Sequence, residues 1–224
     1  MEIAVFLLIA LIAGGAAFLA YYLKQKRIQG LAAAAKQLGL AFSRSDPFAT
    51  LAEPFALLHK GDGQGVENVM SGVWQGVDLR QFDFWYYEES TDSQGHRSKS
   101  YYRFNCVIAP IEAACAHLTI DHENVFTRLA DALSFHDIEF ESAEFNRAYQ
   151  VKCDDKKFAN DFVDARMMNW LLKHGAGYSF EVCGDRVLCA HKRLQPNELI
   201  PLLGTTRAFH EAVPRVVFDL YAKG

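Results

Sequence analysis

The 224 residues contain no C-x-x-C pair, no H-E-x-x-H, no G-x-S-x-G, no phosphate-loop signature and no kinase pattern. Their absence leaves no recognisable catalytic or zinc-binding constellation. A basic excess is also missing. The formal net charge is −4 and the isoelectric point near 6.1, which withholds the cationic stripe that nucleic-acid binding needs. The five cysteines, Cys106, Cys115, Cys153, Cys183 and Cys189, are odd in number and irregularly spaced, which fits a reducing compartment better than a disulfide framework. What is plentiful is ordinary for a globular chain: half the residues are hydrophobic, 13% aromatic and 22% charged.

Charge is missing altogether from Ile3 to Leu23, IAVFLLIALIAGGAAFLAYYL. At 1.5 Å per residue this run is long enough for a hydrocarbon core of about 30 Å. Tyr21 and Tyr22 stand where an interfacial aromatic belt would lie. Lys24, Lys26 and Arg27 follow at once, while the other flank carries only Glu2. The positive flank predicts a single-pass membrane anchor with the N-terminus outside and the rest cytoplasmic. A cleaved secretory signal is the competing reading. Glu2, in place of a basic leading segment, argues against it. Ala10, Ala13, Gly14 and Ala17 recur at a spacing that permits two such helices to pack as a homo-oligomer, although small residues are also simply common in membrane helices.

Past the anchor (1–23), a stretch rich in Ala, Leu, Lys and Gln predicts a juxtamembrane helix over 24–40, ending near Gly39. Residues 41–136 then read as a β-meander plus helix, and 137–224 as an α+β unit. Alternation places strands at Val66–Trp74, Val77–Glu88, Ser100–Ala109 and Ala114–Ile120, with the polar segment Glu89–Lys99 as a protruding loop. A helix with Val125, Leu129 and Leu133 on one face follows. The second half reads as strands near Asp137–Glu141 and Arg147–Lys152 and a helix from Asp154 to about Lys173. A hairpin turning at Gly184-Asp185 comes next, then helical segments bounded by Pro201 and Pro214. The fold class is α+β: an N-terminal transmembrane helix, an antiparallel meander and a ββαββα-like second half.

Each candidate site has a plainer structural reading beside it. Gly61-Asp62-Gly63-Gln64-Gly65 has the glycine content of a phosphate cradle but leads into a strand, so it reads as a turn. Cys115-x-His117 and Cys189-x-His191 put a thiol and an imidazole on one strand face, yet without the ligand spacings of a zinc site they read as buried thiols beside edge histidines. Asp154 and Asp155, ahead of Lys156 and Lys157, fit a helix start better than an acid–base pair. No metal and no cofactor is implied. The aromatic runs Phe82–Tyr87 and Tyr101–Phe104 should pair as a ribbon with rings on both faces. If one face stays uncovered, Trp85, Tyr87 and Tyr101, with Arg103 or Arg80 nearby, form a ledge of the composition favoured at protein interfaces.

The stretch FESAEFNRAYQVKCDDKKFANDF, with MNWLL, the strand around CGDRVL and the late VPRVVFDLY, resembles a loose group of uncharacterised bacterial proteins that carry N-terminal membrane segments and a domain of unknown function. The likeness runs mainly from Phe140 to Tyr221, with an echo around FDFWYY. It implies a membrane-anchored bacterial protein and brings no catalytic residue with it. The sequence thus points to a membrane-tethered cytoplasmic module with the lipid bilayer and a protein as partners. The alternatives are a membrane-bound, cysteine-dependent hydrolase, which requires a thiol of lowered pKa, and a structural subunit of an envelope complex.

Overall fold

The computed structural model describes residues 2–122 and 136–223, so the helix expected around Val125, Leu129 and Leu133 lies outside the described residues. Helix α1 (Glu2–Leu38) runs unbroken from the apolar segment into the folded part. Its stretch from Val5 is long and apolar enough to cross a membrane. The helix stops where the sequence supplies a glycine. Gly39 takes φ 72°, Leu40 N–H reaches the Ala35 carbonyl at 2.8 Å and Gly39 N–H the Lys36 carbonyl at 3.3 Å. This paired pattern consumes two of the helix's orphan carbonyls and turns the chain back.

Among the described residues seven antiparallel strands form one sheet in the order β1 (Ala41–Ser45), β2 (Gly63–Trp74), β3 (Val77–Thr91), β4 (Arg97–His122), β6 (Tyr149–Cys153) and β5 (His136–Asp137), with β7 (Tyr178–Lys192) also paired to β4. Gln75 and Gly76 both take positive φ in the two-residue turn joining Trp74 to Val77, the backbone that matches the twist of a tight hairpin. Two expected breaks are absent. Strand β4 continues through Pro110, where the sequence suggested a turn, and β7 continues through Gly184, where it suggested a hairpin. The halves of β7 pair with successive halves of β4, from Phe104↔Lys192 to Asp121↔Ser179, with register shifts between Pro110 and Leu118. Pro110, and Gly184 (φ 58°) opposite Cys115, thus stand at these bulge-like irregularities, across which the core-facing residues of β4 switch from odd to even positions.

Among the described residues, the α-helices that pack on the sheet lie on one face. There Leu31 and Ala35 of α1 join Met70, Leu79, Val107, Phe180, Val182, Leu202, Leu203 and Phe209 in the main core, and Phe180 stacks on Phe209 with centroids 4.2 Å apart. The helices are α2 (Ala143–Ala148), α3 (Lys156–Phe162), α4 (Ala165–His174), α5 (Leu199–Ala212) and α6 (Arg215–Leu220). The single helix expected over 154–173 is divided at Val163-Asp164 because Asp164 caps a new start, its carboxylate accepting from Met167 N–H at 2.7 Å. Against the opposite sheet face, the segment around Phe55, Leu57 and Leu58 covers Phe82, Phe84, Tyr86, Phe104, Cys106 and Leu188 in a second core.

Candidate functional site at the helix exit

Arg27, the last cation of the run that follows the apolar segment, does not remain at the helix surface. It turns into the sheet, and its Nε and Nη2 donate to Asp83 Oδ2 and Oδ1 at 2.8 and 2.7 Å. Its Nη1 donates to the Leu194 carbonyl at 2.6 Å. The side chains are 9% and 6% exposed, so this is a buried, two-pronged pair of the strongest hydrogen-bonding type. Asp83 also accepts from Asn68 at 3.0 Å and Asn105 at 2.6 Å. Asn68 is brought there by a β2 irregularity between Glu67 and Met70, at which it takes φ 56°, a conformation asparagine tolerates. The Asp83 carboxylate thus ties α1 to β2, β3 and β4, while Arg27 itself reaches the segment after β7.

The same contacts set the helix's course. Leu40 lies over Gly72 and so near the Gly72↔Leu79 row, Arg27 sits over the Asp83↔Asn105 row, and Lys24 pairs with Glu67 at 3.1 Å. Ala20 and Leu23 then share a cavity wall with Arg103, the cross-strand partner of Trp85 one row farther along the same face. That cavity, about 830 Å³, is also lined by Lys24, Lys26, Arg27, Glu67 and Arg193. Gly30 lets the helix pass close to Pro196, where an added Cβ would lie 3.0 Å from its Cγ.

The expected ribbon is present, with Phe84↔Phe104, Trp85↔Arg103, Tyr86↔Tyr102 and Tyr87↔Tyr101 as direct partners. Tyr86, Tyr102 and Phe104 stack toward the second core. On the helix-bearing face α1 covers Asp83 but leaves the next two rows open. Trp85 and Tyr87 are half-buried, Arg103 is exposed and Tyr101 is 53% exposed. Trp85 stacks on Tyr87 at 6.4 Å and meets Tyr101 at 6.1 Å. Each ring lies across a glycine of β2, for a Cβ on Gly65 would fall 2.6 Å from Trp85 and one on Gly63 2.6 Å from Tyr87. Lys99 Nζ sits 4.0 Å from the Tyr87 ring centre and Arg103 lies 5.5 Å from that of Tyr101, placing cations over aromatic faces. Beyond them the β3–β4 ladder continues to Thr91↔Arg97, and Asp92 closes the polar tip by accepting from the Gln94 and His96 amides.

The thiols are not brought into a reactive arrangement. Burial pushes Cys115 and Cys189 up to about 12 and Cys153 to about 11, and moves Cys106 and Cys183 upward as well. Each shift works against the thiolate that a nucleophile requires. The two Cys-x-His pairs do not converge: His117 Nε2 meets Glu181 at 2.5 Å, whereas His191 Nδ1 is hydrogen-bonded to the Lys192 carbonyl at 2.7 Å. Among the described residues no group of three or more His, Cys, Asp or Glu side chains is placed to hold a metal ion. A polar cluster that sequence reasoning missed lies on the second-core face, where Glu181 accepts from Ala56 and Leu57 amides and Ser179 donates to Asp121. Burial is the main cause that raises the Asp121 carboxyl to about 7, with the charge of Glu181 adding to it and the Ser179 bond opposing. The space beside them, about 10 Å³, is no larger than one water needs.

No family model and no curated protein matches the chain. The fold is similar to that in the crystal structure of the mycobacterial trehalose monomycolate transport factor A, TtfA, with a TM-score of 0.58 and 14% identity over 85% of this chain and 95% of that one. At that identity the likeness shows the fold alone.

Proposed function

We propose that this chain is a membrane-tethered, non-catalytic module of the bacterial inner membrane. Its N-terminus lies outside, its folded part is cytoplasmic, and the Trp85–Tyr87–Tyr101 ledge with Arg103 binds a protein at the membrane surface. The observation that carries the reading is the Arg27–Asp83 pair. It fixes an apolar helix to the sheet, so that the open ledge stands level with the place where the helix leaves its apolar run. An interface so placed favours a partner that is itself in or on the membrane. Aromatic side chains beside arginine supply large contact area at small entropic cost, as binding hot spots require. Description of a protein of the same fold as a transport factor supports a role beside a transport process rather than in bond chemistry.

The test is affinity purification of the full chain from crosslinked membranes, wild type against W85A/Y87A/Y101A. Loss of a wild-type partner from a triple variant with unchanged circular dichroism is the expected result. Retention of every partner would overturn the ledge assignment.

A further inference from the structure

We propose that the cavity beside the helix exit binds a phosphate group, presented by the headgroup of an anionic phospholipid. The inference rests on reading α1 as a membrane span and adds a ligand to it. Five cations line the space, Lys24, Lys26, Arg27, Arg103 and Arg193, against the single carboxylate Glu67. Glu67 is taken up by Lys24, and Arg27 is neutralised behind the wall by Asp83. Among the described residues no carboxylate pairs with Lys26, Arg103 or Arg193, which leaves three positive charges facing one opening. Arg193 stands among these charges: desolvation chiefly, with Arg27 and Arg103 adding and Asp83 and Glu67 opposing, holds its guanidinium below the usual range. An anion in the space relieves that repulsion, and two guanidinium forks suit phosphate oxygens better than point charges do.

The rest of the lining selects a lipid over a free anion. Ala20 and Leu23 contribute apolar surface from the end of the uncharged run, so the cavity joins a cationic wall to the level at which acyl chains begin. Its volume of about 830 Å³ far exceeds what inorganic phosphate fills and is in the range of small-molecule sites.

The full chain, delipidated in mild detergent, is titrated calorimetrically with dihexanoyl phosphatidylglycerol, dihexanoyl phosphatidylcholine and inorganic phosphate. Phosphatidylglycerol should bind most tightly. Each cation removed near an anionic lipid costs about 5-fold in affinity, so R103Q/R193Q should weaken phosphatidylglycerol binding about 25-fold and weaken phosphatidylcholine, whose choline offsets the phosphate charge, far less. The K26Q/R103Q variant, which retains Arg193, repeats the test should the first variant melt early. Equal binding of the two lipids, or unchanged affinity in both variants, overturns the proposal, and equal affinity for inorganic phosphate overturns the lipid assignment. Carbonate extraction of membranes separately tests the anchor: release of the chain would refute the span whatever the calorimetry reads.

Discussion

Removal of the Asp83 carboxylate is the perturbation whose cost can be worked most closely from the structure. Asp83 accepts two bonds from Arg27, one from Asn68 and one from Asn105. Asp83→Ala therefore strands a guanidinium that is 9% exposed and leaves two amide donors short of a partner. Breaking one side of a buried pair costs about 3–5 kcal/mol. Arg27→Met keeps an apolar stem against the sheet and leaves Asp83 its two asparagines, so about 3 kcal/mol is expected. Neither charge is stranded in Arg27→Met/Asp83→Ala, so the double variant should cost less than the sum of the two single variants by several kcal/mol. Urea unfolding of the full chain in mild detergent measures all three. Hydrogen exchange should report earlier opening of α1 amides over 28–38 than of the sheet, since the pair ties this helix to the strands. A cost under about 1 kcal/mol for Asp83→Ala, or simple additivity in the double variant, would refute the reasoning.

Other substitutions test the remaining parts of the account. The folded Asp121 carboxyl keeps its proton to about pH 7, well above the ordinary carboxylate range, so the folded state binds the extra proton and stability falls as pH rises from about 4 to 7. Asp121→Asn should flatten that slope and stabilise the chain at pH 8, by roughly 4 kcal/mol at most. A pH profile identical to wild type would contradict this. With every thiol raised by burial, a disulfide reagent at pH 7 should label the native chain far more slowly than free cysteine and label all five after denaturation. One fast native thiol would return the cysteine-hydrolase reading to contention. Gly65→Ala places a methyl 2.6 Å from the Trp85 ring and should displace it, with a shift in tryptophan emission and about 1 kcal/mol of destabilisation. Unchanged emission and melting would mean that the ledge is not held as described.

Much of this was legible in the sequence, for identifiable reasons. The charge-free run, the glycine that ends α1 and the alternation around Val66–Glu88 are local signals, and α1, β2 and β3 follow them closely. Pro110 and Gly184 misled because a bulge uses the same residues as a turn, and only the pairing of β4 with β7 distinguishes them. The ledge was foreseeable from the aromatic pairing. Its half-open state was not, because it depends on how far α1 reaches along the sheet. In the sequence Arg27 is a charge flanking the apolar run, and nothing local marks Asp83, 56 residues later, as its partner. Asp83 does stand between Phe82 and Phe84 in a strand with rings on both faces. A carboxylate in such a place needs a buried cation, which is the one sequence signal for this pair.

The most direct test of the central claim, an anchored module whose folded part faces the cytoplasm, is a pair of fusions at Gly224. One carries a fluorescent protein that matures in the cytoplasm and the other alkaline phosphatase that works after export, each combined with carbonate extraction of the membranes. The account predicts fluorescence, silent phosphatase and a chain that stays in the extracted membranes with its N-terminal segment intact. Phosphatase activity would contradict the orientation, and release of the intact chain by carbonate would contradict the anchor.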